Sequence, residues 1–299
     1  MAAQSEQSGN TCVSAALGLF DGVHLGHRSV LASAAARGFC HAVTFAAETV
    51  PQKHGQPLSY LYSTAQKEYL LRSCGARSVM MLDFQKVSHM DGYTFCKEIL
   101  CDTLHMQTAV CGEDYRFGHH AAYGVEDLRR FGAELGFAVV TVPQCCDTNG
   151  QPISSSRIRL LLEQGEIAAA NALLGEEYTL YTEVIHGNAI GRTLGFPTAN
   201  QPFDALQCIP KRGVYASLTE IDGVWLPSVT NIGLRPTIAE AEKQPLAETH
   251  ILQWSGELAG KMLKVRLCRY VRPERKFASA EDLAAQIQSD ILACRTFVE

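Results

Sequence analysis

The sequence predicts two domains of different class: an α/β domain built on a parallel sheet, then an antiparallel β domain that ends in a helix. Up to residue 174, strand-like runs alternate with helix-like stretches. From Tyr178 onward the runs are short, β-rich and punctuated by Gly and Pro, with no helical stretch between them. One amphipathic helix follows the last of these runs. A chain of 299 residues, 46% hydrophobic and 19% charged, has enough apolar surface for two ordinary cores.

After a polar tail, residues 13–19 form an apolar run reaching a glycine, and the alanine-rich stretch 26–37 reads as a helix. Residues 42–45 supply a second strand. Ser63 and Gln66 form a capping box opening a helix over 63–74. Buried strands are expected at 78–82, 108–111 and 137–142, with helices around 93–104 and 125–135 between them. This alternation implies βαβ units and a parallel sheet. Helices over 155–164 and 167–174 close the first half, placing the domains at 1–177 and 178–299. Beyond the boundary, 181–186, 213–221, 224–231, 249–254 and 262–270 read as strands of an antiparallel barrel or sandwich. Ser279 and Asp282 cap the last helix, with Leu283, Ile287 and Ile291 spaced four apart on one face.

A formal net charge of −5 argues against a general nucleic-acid or membrane-surface binder. No run approaches a membrane span, and residues 1–10 lack the basic and apolar regions of an export signal. The eleven cysteines are odd in number and none are spaced C-x-x-C; Cys12, Cys40 and Cys111 sit in apolar runs. A reducing cytoplasm is therefore the expected location. His119-His120, Cys145-Cys146 and the His89/His105 pair lack zinc-ligand spacing. Nothing in the pattern specifies an oligomeric state.

Residues 18–27 (GLFDGVHLGH) carry the strongest chemical signal. The chain leaves a buried strand, turns at Gly22 and enters a helix near Gly26. Such a turn binds anions, because the helix N-terminus presents unpaired amides. His24 and His27, three apart, share a face of the first helical turn. Gly26 between them allows a phosphate close to the backbone. Imidazoles placed there can donate to a phosphate as charge builds in a transition state. Gly18 and Phe20 complete the turn, and Asp21 is placed to orient a histidine or assist a metal. A histidine pair at a turn is ordinarily solvent-facing polarity, but the full F-D-G-x-H-x-G-H string after a strand marks an ATP-phosphate site.

Two other stretches suit phosphate. In residues 153–159 (ISSSRIR), Ser154, Ser155 and Ser156 can cap a helix and donate hydroxyls, while Arg157 or Arg159 can pair with phosphate oxygens. In residues 186–200 (HGNAIGRTLGFPTAN), Gly187, Gly191 and Gly195 permit a loop whose amides wrap a phosphate, with Arg192 and Pro197 in the same run. Thr198 and Asn200 offer oxygen ligands suited to Mg²⁺.

The first string resembles the H-x-G-H signature of Rossmann-like nucleotidyltransferases. In its F-D-G form it is similar to the FMN adenylyltransferase module of the bacterial bifunctional riboflavin kinase/FAD synthetase family. Residues 112–118 (GEDYRFG), including Asp114, resemble that family's G-x-D-F-R-F-G loop, and ISSSRIR resembles its I-S-S-T-R-I-R segment. The run G-R-x-L-G-F-P-T-A-N resembles the riboflavin kinase module. So do Gly213-Val214-Tyr215, Asn231-Ile232-Gly233 with Pro236-Thr237, Glu248-Thr249-His250, and residues 272–277 (RPERKF).

The resemblance covers about residues 13–293. It implies an α/β Rossmann-like nucleotidyltransferase domain followed by an antiparallel β-barrel riboflavin kinase domain with a C-terminal helix. It also implies riboflavin, FMN and ATP with Mg²⁺ as the small-molecule partners, with no nucleic acid and no membrane. Riboflavin would become FMN in the second domain, and FMN would become FAD with release of pyrophosphate in the first. By the same resemblance Glu248 is the general base for the riboflavin 5′-hydroxyl, and His24, His27 and Arg159 act in adenylylation. The chain departs from the family at residues 45–49 (FAAET, against F-E-P-H-P). It departs also at Gln253-Trp254 (Asp-Phe) and Leu258-Ala259-Gly260 (Leu-Tyr-Gly). Three alternatives stay open at the level of sequence. One activity alone is retained, riboflavin kinase before adenylyltransferase; the chain binds flavin or nucleotide without turnover; or it adenylylates another phosphorylated acceptor.

Overall fold

The computed structural model describes residues 12–50, 59–187, 195–234 and 245–295. The chain divides into two compact units, Met1–Ile153 and Ser154–Glu299.

The first unit holds β1 (Val13–Leu17), β2 (Phe39–Phe45), β3 (Ser78–Leu82), β4 (Thr108–Gly112) and β5 (Ala138–Val142). Its helices are α1 (Leu25–Ala35), α2 (Thr64–Ser73), α3 (Phe84–Val87), α4 (Gly92–Thr94) and α5 (Val125–Leu135). The five strands are parallel, in the order β3-β2-β1-β4-β5. Both faces of the central strands are covered, so β1 and β4 are built mostly of small and apolar residues. Ala15, Leu17, Ala109 and Cys111 join a core with Leu100, Leu128 and Phe131. On β1's other face, the Ser14 hydroxyl donates to the Ala34 carbonyl of α1 at 2.8 Å.

The chain steps outward from β1 to β2 and β3, then returns to β4 on the far side of β1. Strand order reverses between β1 and β4, and the carboxyl ends of the strands at such a reversal are where open α/β sheets bind ligands. The 18–27 turn and the 112–118 loop both start there.

Most expected elements of this unit are present with shifted ends. β1 stops at Leu17, and β2 begins at Phe39 because its first residue pairs with Val13. Ser63 caps α2 by accepting the Gln66 amide at 3.2 Å. The helix expected over 93–104 is instead α4 running into a π-helix, Phe95–Thr103.

The second unit holds α6 (Ser155–Gln164), α7 (Ile167–Leu174), β6 (Tyr178–Glu183), β7 (Ala199–Pro202), β8 (Gly213–Ile221), β9 (Val224–Leu234), β10 (Pro245–Ile251), β11 (Met262–Arg272) and α8 (Ala280–Arg295). Six antiparallel strands run in the order β6-β11-β8-β9-β10-β7. The Ile185 amide donates to the Asn200 carbonyl at 2.8 Å, bringing β7 back beside the end of β6 in a nearly closed barrel. Helices α6 and α7, expected to close the first domain, pack in this unit. The Asn171 amide donates to Leu267 O at 2.9 Å and its Oδ1 accepts the Tyr178 amide at 2.8 Å.

Part of the barrel interior is a ladder of hydroxyls. Ser217 bonds Ser228 and Thr230 at 2.8 Å each, Thr219 donates to Ser228 at 2.9 Å, and Thr230 bonds Thr249 at 2.9 Å. All five side chains are buried and hydrogen-bonded, so a register slip would break the whole network. The ladder therefore fixes β10, including Glu248 beside Thr249.

α8 is held to the barrel by a buried ion pair. Arg272 donates from Nε and Nη2 to Asp290 at 2.8 and 2.6 Å. Removing one partner leaves a buried charge, so Asp290→Ala is expected to destabilise this unit by about 3–5 kcal/mol. Trp225 and Trp254 both lie in this unit and are the chain's only tryptophans, so a fluorescence-detected urea titration reads it selectively. A loss below about 1 kcal/mol, the scale of an exposed pair, would contradict the assignment. Among the described residues, no helix is long and apolar enough to cross a membrane.

Candidate active sites

The turn after β1 is a strained backbone. Phe20 has φ 52°, Gly22 φ 82° and Val23 φ 44°. Positive φ is costly for a β-branched residue, at about 1–3 kcal/mol, and persists only where the surroundings over-determine it. Here the surroundings do. The Phe20 ring is fully buried over Gly18, Asp21 Oδ1 accepts the Leu61 amide at 2.8 Å, and Arg28 donates to the Val23 carbonyl at 3.0 Å. A side chain at Gly22 would strike Leu61. Asp21 thus anchors the turn to residues 59–62, a use the sequence does not signal.

The strain places two imidazoles together. His24 is the N-cap of α1, and its Nδ1 accepts the His27 amide at 3.4 Å. A neutral His24 therefore carries its proton on Nε2. The His24 and His27 rings stack at 3.7 Å with 18° between planes, and Phe20 meets His27 edge-on at 5.3 Å. A Cβ at Gly26 would stand 3.3 Å from the His24 ring, so this position also protects the pair. Asp114, in the loop just after β4, acts electrostatically on His24 across the strand-order reversal.

Both histidines are held neutral. Burial lowers His24 to about 4, against the opposing charge of Asp114. Burial also holds His27 well below 6.5, with further lowering from His24 and Lys67. His27 Nδ1 is buried and has no hydrogen-bond partner among the described residues. The consequence for stability follows by linkage. Between pH 6.5 and 4 the unfolded chain protonates His24 while the fold does not, so stability falls as the pH falls. The loss from His24 approaches about 3 kcal/mol at pH 4. Calorimetric unfolding should show this loss shrinking in His24→Gln; an unchanged pH dependence would contradict a buried neutral His24.

Residues 45–49 form an ordered wall beside the turn. The Ala46 amide donates to Leu82 O at 3.0 Å, and the Ala47 amide to Thr64 Oγ1 at 3.0 Å. Thr64 in turn donates to Glu48 at 2.7 Å, which lowers the Glu48 carboxyl below its ordinary value. Thr49 donates to Ala46 O and accepts the Phe84 amide. Behind this wall lies Lys67, a buried lysine with no signal in the sequence.

Of the ISSSRIR residues, Ile153 ends the first unit and the rest open the second. Ser154 caps α6 by accepting the Arg157 amide at 3.3 Å, and Arg159 donates to Ser156 at 3.0 Å. Ser155 is the first residue of α6.

The second unit contains a cavity of about 550 Å³. Gly187, Pro197, Thr198, Asn200 and Glu248 all line it. Asn200 on β7 and Asn231 on β9 are the cross-strand partners of Glu248 on β10, so the three share one face. Gly187 is needed because a side chain there would strike the Asn200 amide, which donates to Thr198 O at 3.2 Å. A side chain at Gly233 would likewise strike the Glu274 carboxylate. Gly195 takes φ 85°, and His250 Nδ1 bonds Pro197 O at 2.9 Å, fixing the entry to β7. Gly191 and Arg192 lie outside the described residues. Asn231, His250, Glu274 and Trp254 also line the cavity. The first three stand in motifs quoted above but carry no individual signal.

Comparisons with known proteins agree with both units. The family model described as FAD synthetase matches residues 5–157, and that described as riboflavin kinase matches residues 174–298. The bifunctional riboflavin kinase/FMN adenylyltransferase of Escherichia coli (strain K12) is 34% identical over 295 residues, covering 94% of this chain and 91% of its own. The protein of that description from Bacillus subtilis (strain 168) is 32% identical over 285 residues, covering 92% and 89%. A solved structure from Streptococcus pneumoniae, described as a macrolide-efflux protein, matches with a TM-score of 0.80 and 28% identity over 96% of this chain and 95% of its own.

Proposed function

The chain belongs to the bifunctional riboflavin kinase/FMN adenylyltransferase family, and from that premise we propose which residues run each of its two reactions. It phosphorylates riboflavin with ATP to give FMN and ADP, and it adenylylates FMN with a second ATP to give FAD and pyrophosphate.

Adenylylation is assigned to the histidine turn. The FMN phosphate attacks the α-phosphorus, and the protein's task is positioning and charge stabilisation. The Nε2–H of His24 and the neutral His27 ring donate to phosphate oxygens as negative charge grows. Gly18, Phe20, Asp21, Gly22 and Gly26 hold that geometry, with Asp114 facing it. The assignment of Ser154, Ser155, Ser156, Arg157 and Arg159 to the departing pyrophosphate rests on their motif.

Phosphorylation is assigned to the cavity. Glu248 takes the proton of the riboflavin 5′-hydroxyl as it attacks the γ-phosphorus. The observation that supports this most is the Asn200–Glu248–Asn231 row, which places a carboxylate between two amides on the cavity face. The donors here are hard oxygens, which fit Mg²⁺; Thr198 and Asn200 would hold it. Mg²⁺ bound with ATP neutralises charge on the phosphates. Gly187, Gly191, Arg192, Gly195 and Pro197 are assigned to the nucleotide phosphates of this reaction.

By function, the division is proposed at 1–177 and 178–299, although α6 and α7 pack with the barrel. A reducing cytoplasm is the proposed location, supported by the eleven cysteines being free thiols. Pure protein incubated with riboflavin and MgATP, with flavins resolved by chromatography, should yield FAD. FMN accumulating alone would overturn the adenylylation half, and unchanged riboflavin would overturn both.

A further inference from the structure

Lys67 lies on α2, where Glu68 and Tyr69 beside it face solvent, yet it is 2% exposed. Its ammonium donates to Phe45 O at 2.6 Å, Leu19 O at 3.4 Å and Thr44 Oγ1 at 3.5 Å. The Thr44 hydroxyl itself donates to Leu19 O at 2.7 Å. Leu19 belongs to the histidine turn, and Phe45 is the last residue of β2 before the wall at 46–49. One side chain therefore joins the carboxyl ends of β1 and β2.

We propose that Lys67 is a positioning residue for adenylylation, locking the histidine turn to the 45–49 wall so that both sides of that site keep one geometry. The proposal rests on the histidine turn being the adenylylation site. Three N–H groups meet three acceptors, so Lys67 acts through the backbone it holds and not by touching substrate. None of the three acceptors is a carboxylate. A buried ammonium without a contacting counter-charge is an expensive way to fill space; a methionine of similar length would cost less to bury. Burial accordingly lowers Lys67 from 10.5 to about 8, against the charges of Asp21 and Glu48. Its charge in turn favours the neutral form of His27. Such a residue at the junction of two substrate-facing segments is explained by what it positions.

The test uses Lys67→Met and Lys67→Arg in the full chain, with adenylylation of FMN and phosphorylation of riboflavin assayed separately. Lys67→Met should lower kcat for adenylylation by about 30- to 100-fold, the scale of a small misplacement of reacting groups. KM for ATP, riboflavin phosphorylation and the calorimetric unfolding midpoint should hold, the midpoint because a buried charge has been removed.

The pH profile supplies an independent readout. The groups facing the ammonium are the Asp21 and Glu48 carboxylates and the His27 imidazole; Glu48 is held below its ordinary value and His27 well below 6.5, so neither changes charge in the alkaline range. Wild-type adenylylation should therefore decline as pH rises through about 8, where Lys67 loses its proton. Lys67→Arg, whose guanidinium stays charged, should restore most of the rate and abolish that decline. An unchanged kcat in Lys67→Met, or an identical alkaline decline in Lys67→Arg, would overturn the proposal. So would loss of both folding and activity in Lys67→Met, rescued by arginine with the alkaline decline intact, since that is a structural role. His27→Ala serves as control. If it leaves adenylylation intact, the site assignment fails; if it abolishes adenylylation while Lys67→Met does not, only the Lys67 proposal fails.

Discussion

His27→Ala is expected to lower FMN adenylylation by about 10²–10³-fold, the usual cost of removing one donor aimed at developing charge. Riboflavin phosphorylation should be unchanged, because Glu248 and the cavity lie in the other unit. Three features of His27 set the size of the effect. Its ring is fixed between His24, stacked at 3.7 Å, and the edge of Phe20. Burial and the neighbouring charges hold it well below 6.5 and so neutral at pH 7, where it donates without first losing or gaining a proton. Its Nδ1 edge is buried out of solvent, which keeps water from that side of the ring. The measurement is FAD formed from supplied FMN and MgATP. Loss of both activities in a folded variant would contradict separate sites.

Glu248→Gln should have the opposite pattern. Glutamine keeps the shape and the cross-strand packing between Asn200 and Asn231 but cannot accept the hydroxyl proton. Riboflavin phosphorylation should fall by about 10²–10⁴-fold, the range for a positioned general base. Adenylylation of supplied FMN should persist. The hydroxyl ladder through Ser217, Ser228, Thr230 and Thr249 does not include the carboxylate, so folding should be retained. Full phosphorylation by Glu248→Gln would move the base to another group, with Glu274 in the same cavity the first to examine.

Much of this architecture is legible in the chain because it is locally encoded. Ser63 and Ser154 are caps in sequence and in space, and α6 and α7 begin and end where the pattern places them. The histidine string is legible for the same reason: strand, turn and helix N-terminus are consecutive. What is not legible depends on distant partners. β7 reads as loop, since Ala199–Pro202 becomes a strand only by pairing with β10. The π-helix at Phe95–Thr103 has no local signature. Lys67 looks like an ordinary solvent-facing helix lysine, and its burial arises because the ends of β1 and β2 offer it carbonyls. The FAAET departure hides a wall rebuilt from Thr64, Glu48 and Thr49.

The central claim is that two separate residue sets, the histidine turn with its motif partners and the Glu248 cavity, carry the two reactions in succession. It is tested most directly by mixing the two single-site variants. His27→Ala alone should convert riboflavin to FMN and stop, and Glu248→Gln alone should leave riboflavin largely unchanged. An equimolar mixture supplied with riboflavin and MgATP should make FAD, because FMN released by the first variant is adenylylated by the second. A mixture that makes no FAD, although each variant retains its one activity on its own substrate, would contradict the account.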